Sequence, residues 1–420
     1  MFGRLTRSFK KLDRRVKVAI TATGLSNFGN MMTTRYDSLY AKDLGANPVD
    51  IGLLTSISQV FSAAIAIPMG WAVENYGVKK VMLLNIALFA LHLAIMAMSD
   101  NWLMLIPAYI ISTRLLRMGP LADIIFVTAT EPQHRGTIIS LSRVVWNILN
   151  VFAPMVAAVV IANFGGEKIQ AEGIRPLYVI ELALSIFVFV LVARYLPSTL
   201  GDVDKRANAG SKRTSILQDY LGALKGEKYL KRWVILRIVQ TFAMSFAMPF
   251  VVLWLVYSKG ADAYLLGILG STSLIVSLVL QIPAGRLADK YGRRMIYFAL
   301  RPMSYLGTFL AIIAQSPELL LISGLIGGYA SSSGQGDAGI SGVSSPLFVT
   351  WWWESVPEEK RGRFFGIEGI FSLAAIPASI IGGIMWQQGY VLQVLIIPII
   401  LEAIVVLPLL ATVPDIIRSK

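Results

Sequence analysis

Long apolar runs recur along the whole chain, separated by short polar, basic or glycine-containing stretches. A helix needs about 17–25 apolar residues to cross the hydrocarbon core of a bilayer, and these runs are that long or longer. Their apolar residues are not confined to one side, as they would be in a surface helix of a soluble protein. The pattern predicts an all-α membrane protein with twelve crossing helices, numbered here as segments 1 to 12: 16–40, 49–72, 81–98, 102–130, 137–163, 176–196, 233–257, 263–285, 295–314, 318–353, 364–386 and 391–412.

The polar stretch 197–231 divides these segments into six and six. We therefore expect a six-helix bundle at 1–196, a cytoplasmic linker at 197–231 and a second six-helix bundle at 232–420. The two halves also resemble each other in sequence. At an offset of 215 residues, later 226, the matches are Gly52 with Gly267, Pro68 with Pro283, Gly70 with Gly285, Glu74 with Asp289, Gly77 with Gly292, Lys79 with Arg294, Pro120 with Pro346 and Arg135 with Arg361.

Composition agrees with a membrane protein, since 55% of the 420 residues are hydrophobic and only 15% are charged. The absence of cysteine excludes disulfides, thiolate metal sites and iron–sulfur clusters. Two histidines are too few for a histidine-built metal centre, so we expect neither a metal nor another cofactor. No phosphate-binding loop for ATP and no nucleophile–base set is visible, so we expect no ATP-driven transport and no enzyme.

The net charge of +13 is distributed unevenly. Of the 38 Lys and Arg residues, 28 lie at the ends of segments that face the same side as the two termini and the linker. The positive-inside rule therefore predicts a multi-pass protein of the plasma membrane with both termini in the cytoplasm. Anionic lipid headgroups next to these basic residues then explain the net positive charge of the chain, so we expect no nucleic-acid partner.

The stretch from Gly285 to Arg294, Gly-Arg-Leu-Ala-Asp-Lys-Tyr-Gly-Arg-Arg, resembles the signature of the major facilitator superfamily between its second and third helices. A second copy runs from Gly70 to Lys80, and the loops at Arg135 and Arg361 resemble further links of that family. The resemblance implies two pseudo-symmetric six-helix bundles and a latch between them; topological positive charge is the alternative. The expected latch residues are Gly70, Glu74, Gly77, Lys79, Arg135, Gly285, Asp289, Gly292, Arg293, Arg294 and Arg361.

Several charged residues fall inside the predicted segments, where charge is costly. Asp123 and Arg143 lie at similar distances from the loop joining segments 4 and 5, so they could form an ion pair or act in gating. Arg114 and Arg117 resemble a degraded form of the family's helix 4 motif, which is implicated in proton coupling; they could instead bind an anionic substrate or extend toward the lipid headgroups.

Arg237 and Arg301 lie about two turns from the cytoplasmic ends of their segments, and we expect both to extend toward the headgroups. Arg35 lies near the outer end of segment 1, beside Asp37. His92 is isolated among the Leu and Met residues of segment 3 and is interpreted as a packing residue, with a proton carrier as the alternative.

In the superfamily that this chain resembles, helices 1, 5, 7 and 11 line a central cavity. Polar residues of the corresponding segments are therefore candidates for substrate binding, and interhelical hydrogen bonding is the alternative. Together with Arg114, Arg117 and Asp337, the candidates are Asn27, Asn30, Trp146, Asn147, Asn150, Gln240 and Glu368.

Segment 10 differs from its counterpart in the repeat by about eleven extra residues around the stretch from Tyr329 to Gly339. Its glycine and serine content favours an unwound helix lining a cavity, with Asp337 facing substrate or ion; an outer loop after a re-entrant segment is the alternative.

These features favour a secondary transporter working by alternating access. Ala153-Pro154 to Ala158 resembles a motif of drug exporters with alanine for glycine, which favours proton-coupled efflux of drugs or metabolites by a monomer in the lipid bilayer. A proton-coupled importer of an organic anion is the alternative. A non-transporting membrane sensor on the same fold is an alternative of another class.

Overall fold

The structure is a computed structural model that describes residues 13–112, 118–130, 135–165, 169–197, 228–331, 337–355 and 372–413. Within these ranges the regular structure is helical, and each of the twelve predicted segments contains at least one helix. The all-α fold class is therefore confirmed. Most of the predicted linker lies outside the described residues, so the boundaries of the three predicted parts stay predictions.

The helices of the first half follow the predicted segments closely. They are Arg14–Thr33 and Asp37–Asp43 in segment 1, Pro48–Tyr76 in segment 2, Val78–Met98 in segment 3, Leu105–Ile111 and Met118–Thr128 in segment 4, Arg135–Gly165 in segment 5 and Ala171–Tyr195 in segment 6.

The second half contains more interruptions. Its helices are Lys228–Tyr257 in segment 7, Ala263–Tyr291 in segment 8, Arg293–Leu300 and Pro302–Ile313 in segment 9, Pro317–Ile326, Gly339–Gly342 and Ser344–Ser355 in segment 10, Ala375–Gln387 in segment 11, and Val391–Leu401 and Leu407–Ala411 in segment 12. A π-helical stretch, Glu402–Val406, joins the last two.

By length and hydropathy, eight helical stretches among the described residues could cross a membrane. Three further apolar helices are shorter: Trp102–Ile111, Pro317–Ile326 and Ala375–Gln387. They belong to segments 4, 10 and 11, which are interrupted or border undescribed residues. The chain is thus a polytopic helical membrane protein, and the count of twelve crossings stays a prediction.

The internal repeat is visible in the backbone. The helices Pro48–Tyr76 and Ala263–Tyr291 both have 29 residues, and their ends are related by the offset of 215. Both end at a glycine with a positive φ angle, 81° at Gly77 and 96° at Gly292. Only glycine adopts this conformation without steric cost, so the repeated glycine sets the same sharp turn in each half.

Because alternate segments run in opposite directions, the bundle has two faces. The terminal face carries the ends near Arg14 and Val413, and the far face carries the opposite ends of the segments. One cluster of buried apolar side chains lies toward the far face and includes Tyr40 from the first half and Phe250 from the second. Two other clusters lie toward the terminal face, and each contains residues of one half only. Among the described residues, the halves therefore pack together near the far face and have separate cores near the terminal face.

Repeat-related glycines allow this close approach. A Cβ added at Gly52 of segment 2 would meet the backbone carbonyl of Ser379 in segment 11. One added at Gly267 of segment 8 would lie 2.6 Å from the Cβ of Ala158 in segment 5. The far face is closed by segments that pack with their backbones almost in contact.

Candidate transport cavity

A cavity of about 450 Å³ lies between the two halves. The first half contributes residues of segments 1, 2 and 4, and the second half contributes residues of segments 7, 9 and 10. Its charged lining residues are Arg35, Asp37, Arg237, Arg301 and Asp337. The cavity volume is in the range of small-molecule binding sites. Such sites are mostly apolar, so the charged lining residues are what distinguishes this cavity.

Arg301 binds two carboxylates from neighbouring segments. Its Nε and Nη2 donate to both oxygens of Glu402 in segment 12, with Nη2 2.6 Å from Oε2, and its Nη1 donates to Asp337 in segment 10. All three side chains are largely buried. One guanidinium thus faces two carboxylates, and the cluster carries a charge of −1 when both acids are ionised and zero when one holds a proton.

Each member of this cluster lies where its helix is interrupted. Arg301 directly precedes Pro302, which lacks the N–H needed to continue the helix of segment 9. Asp337 lies in the break of segment 10, and Glu402 begins the π-helical stretch of segment 12. The interruptions therefore mark the positions of all three charges.

Segment 10 is interrupted where its composition predicted an unwound helix. One helix ends at Ile326, a short 3₁₀ turn covers Tyr329–Ser331 and the next helix begins at Gly339, while residues 332–336 lie outside the described residues. Hydroxyl groups of neighbouring segments bind the freed backbone groups: Thr308 Oγ1 accepts from the Tyr329 N–H at 3.2 Å, and Ser277 Oγ donates to the Gly339 carbonyl at 2.7 Å. These hydrogen bonds satisfy the backbone N–H and C=O groups that the break leaves without helical partners inside the membrane protein. They also hold Asp337 at the cavity wall.

Arg35 lies on the opposite side of the cavity. Its side chain crosses to the second half, where Nη1 donates to the Leu266 carbonyl of segment 8 at 2.9 Å. Its Nη2 is buried and has no hydrogen-bond partner. Asp37, two residues further on, accepts instead from the Tyr178 hydroxyl at 2.8 Å.

A second cavity of about 230 Å³ adjoins the first at Asp337. It is lined by residues of segments 1, 5, 8 and 10, and its uncharged polar side chains include Asn147, Asn150, Ser277 and Gln281. Two of the candidates from the sequence, Asn147 and Asn150, thus share a wall of this cavity.

Two further contacts join the halves at the far face. Ser56 Oγ of segment 2 donates to the Ile376 carbonyl of segment 11 at 2.8 Å. The Lys42 ammonium lies 3.7 Å from the ring centre of Tyr257. Lys42 follows segment 1 outside the membrane-crossing part, and burial lowers the pKa of its ammonium.

The other candidates are placed as follows. Gln240 and Asp337 line the first cavity, whereas Asn27, Asn30 and Trp146 do not line either one. Trp146 is only 3% exposed and donates from its indole N–H to the Ile20 carbonyl, so its position is that of a packing residue within the first half. Arg114, Arg117 and Glu368 lie outside the described residues.

Asp123 and Arg143 form the ion pair that their positions predicted, with Oδ2 and Nη2 3.0 Å apart. Both are partly exposed, and a gating role for them stays a prediction. His92 lies 2.9 Å from the Ala108 carbonyl and stacks on Phe89, in agreement with a packing role.

The expected latch residues are only partly described. Gly77 and Gly292 form the matched turns, and Gly285 has open space around it. Asp289 contacts Arg293 at 3.8 Å, and Lys79 donates to the Ala193 carbonyl of its own half. Arg294 has contacts of its own; Arg361, the surroundings of Gly70 and the side chains of Glu74 and Arg135 lie outside what the structure describes. A latch between the halves stays a prediction.

The sequence interpretation of Arg237 and Arg301 was wrong. Both line the cavity instead of extending toward the headgroups, and Arg237 lies over the Trp352 ring at 5.3 Å. Arg301 can be buried because Glu402 neutralises its charge. Counted from the terminal face, Arg301 is nine residues from Gly292 and Glu402 is eleven residues from Val413. Their similar depth was the signal available in the sequence, although depth alone does not tell which helices are neighbours.

A sequence model of the Major Facilitator Superfamily matches residues 18–242 and 233–418, which together cover nearly the whole chain. The chain belongs to this superfamily. Its members are in general transporters and not enzymes, so the protein is a multi-pass membrane protein with the fold and family of a secondary transporter.

Solved transporter structures share the fold at low sequence identity. A variant of the nucleoside transporter NupG superposes with a TM-score of 0.69 at 15% identity, over 95% of this chain and 99% of that one. A D-xylose–proton symporter gives a TM-score of 0.64 at 13% identity, over 96% and 99%. A bacterial homologue of the human lysosomal transporter Spinster, in an inward-facing and occupied conformation, gives 0.64 at 14%, over 89% and 81%.

Among curated proteins, the methyl viologen resistance protein SmvA of Salmonella typhimurium is 25% identical over 205 residues. The match covers 46% of this chain and 38% of SmvA, so it relates only part of the two proteins.

Proposed function

We propose that this protein is a proton-coupled secondary transporter of a small organic molecule, with its termini in the cytoplasm of a cell whose plasma membrane it spans. The observation that carries the proposal is the buried Arg301–Asp337–Glu402 cluster in the wall of a cavity between the halves. The cluster has one carboxylate more than its single guanidinium can neutralise. Because the membrane interior disfavours unpaired charge, we propose that the extra carboxylate binds a proton.

The packing supports alternating access. The halves share an apolar core near the far face and have separate cores near the terminal face, as expected for a transporter open toward the side of its termini. The distribution of basic residues supports the cytoplasm as that side. Rocking of the halves would then open the cavity to the other side.

Export is the direction that we propose, because SmvA is named for resistance to methyl viologen and the stretch around Pro154 in segment 5 resembles a motif of drug exporters, with alanine for glycine. Import of an organic anion is the second candidate. The unneutralised Arg35 of the cavity favours it, since this side chain would repel a cation.

The test uses the purified protein in proteoliposomes with a molecule that raises its melting temperature in a ligand screen. We expect the labelled molecule to exchange by counterflow and to move against its gradient when a pH gradient is imposed. Counterflow without a response to the pH gradient would contradict proton coupling. Binding without counterflow would favour a sensor over a transporter.

A further inference from the structure

We infer that Arg35 is an anion-binding residue of the cavity, and that the transported molecule therefore carries a carboxylate, phosphate or similar anionic group. The inference rests on the proposed function in so far as the cavity is the transport site. It holds for either direction of transport, and it narrows the expected cargo from a small organic molecule to an anionic one.

The first argument is the incomplete bonding of Arg35. The residue is 5% exposed, and its guanidinium makes one hydrogen bond, to the Leu266 carbonyl. Among the described residues no carboxylate lies within ion-pair distance of it. A buried guanidinium with a vacant donor costs free energy that proteins normally offset with an acid or several acceptors.

The second argument is that neither acid lining the cavity is paired with Arg35. Asp37 accepts from the Tyr178 hydroxyl, on segment 6 of its own half. Asp337 is bound by Arg301 on the other side. An anionic group entering the cavity would supply the acceptors that the protein leaves out, and guanidinium donors suit two-oxygen anions such as carboxylate and phosphate.

The third argument is that the position of Arg35 is built and not accidental. A Cβ at Gly270 of segment 8 would lie 2.8 Å from the Cβ of Pro154 and 2.9 Å from Nη1 of Arg35, so the glycine makes room both for segment 5 and for the guanidinium. A side chain extending toward lipid headgroups would have an exposed head, whereas this one is buried between the halves and lines the cavity. Segment 8 thus holds the cation at the cavity wall.

Binding is tested on the purified full-length protein by thermal shift with matched probes. The probes are benzoate and succinate, each beside its uncharged amide, benzamide and succinamide. We expect at least one acid to raise the melting temperature while its amide does not, and Arg35→Gln to weaken that acid by about 10- to 100-fold, as for loss of a charged hydrogen bond. The inference is overturned if no acid stabilises the protein, if the amides stabilise it equally, or if Arg35→Gln binds as well as the wild type.

Two further variants guard against a folding defect. Gly270→Ala keeps the charge but crowds both the guanidinium and Pro154 of segment 5, so it should weaken binding of the acid in the same direction. Arg175→Gln removes an arginine that pairs with Asp100 away from the cavity, and it should leave the response to the acid unchanged. Without ligand, Arg35→Gln should melt at or above the wild-type temperature, because it removes an unpaired buried charge; a large drop would indicate a purely structural arginine.

Counterflow of the stabilising acid separates this inference from the proposed function. If the acid binds through Arg35 but does not exchange across proteoliposomes, the transport proposal fails and the anion site stands. If an uncharged or cationic molecule exchanges equally in the wild type and in Arg35→Gln, transport stands and the anion site fails.

Discussion

The two halves each place a buried arginine in the cavity wall, and the surroundings of the two differ. In the second half Arg301 is bound by two carboxylates, so its site has an acid in excess. In the first half Arg35 donates to one backbone carbonyl and pairs with no acid among the described residues. Its site therefore has an excess of positive charge. One wall is suited to hold a proton and the other to hold an anion. Opposite imbalances in one cavity allow a proton and a substrate to be bound at separate points.

The strongest test of this comparison is Arg301→Gln beside Arg35→Gln. Loss of Arg301 leaves two buried carboxylates without a cation, and breaking such a pair costs about 3–5 kcal/mol of stability. Loss of Arg35 removes a charge that has no acid, so stability should stay or rise. Thermal unfolding in detergent measures both variants. Equal destabilisation by the two variants would refute the difference between the walls.

Glu402→Gln should uncouple transport from protons. The amide removes the excess negative charge and leaves Arg301 paired with Asp337 alone, so no acid remains in excess. We expect counterflow to persist and accumulation driven by a pH gradient to vanish. Glu318→Gln, on an exposed acid at the start of segment 10, is the matched control and should behave as the wild type. Retained gradient-driven accumulation in Glu402→Gln would place the proton elsewhere.

The closed far face should respond to the repeat-related glycines. Alanine at Gly52 or Gly267 introduces a Cβ where the other half already lies, so both variants should favour opening of the far face. Gly285→Ala has open space around it and is the control. The chain has no native cysteine, so spin labels can be placed on cysteines introduced at the exposed Gln170 and Gln388. The distance between the two labels should increase in the Gly52 and Gly267 variants and stay unchanged in Gly285→Ala.

The smallest effect is expected at Asp123. Its pair with Arg143 is partly exposed, 34% and 52% for the two side chains, and such pairs contribute about 0–1 kcal/mol. Arg143 also keeps its contact with the Trp146 ring. Thermal unfolding of Asp123→Asn should therefore lie close to the wild type. A loss as large as that of Arg301→Gln would show that this pair belongs to the charged machinery.

The sequence predicted features that recur or are local. The repeat anticipated the matched helices ending at Gly77 and Gly292, and hairpin geometry anticipated the pair of Asp123 and Arg143. The charged cavity does not follow the repeat: at the offset of 215, Arg35 corresponds to Phe250 and Arg301 to Ile86. Contacts between segments 9 and 12, or 1 and 8, depend on how distant helices pack, which spacing along one helix does not encode.

The interrupted helices of the second half have a mechanical consequence. A helix bends most readily where a backbone hydrogen bond is missing, and proline or π-helical turns are the usual causes. Arg301 and Glu402 lie at such points and Asp337 lies in a break, so the ionic cluster lies at the joints of three helices. A proton bound by the cluster would change the attraction between its charges. It would thereby act directly on the points where the three helices bend, with no intervening residues needed to transmit the effect.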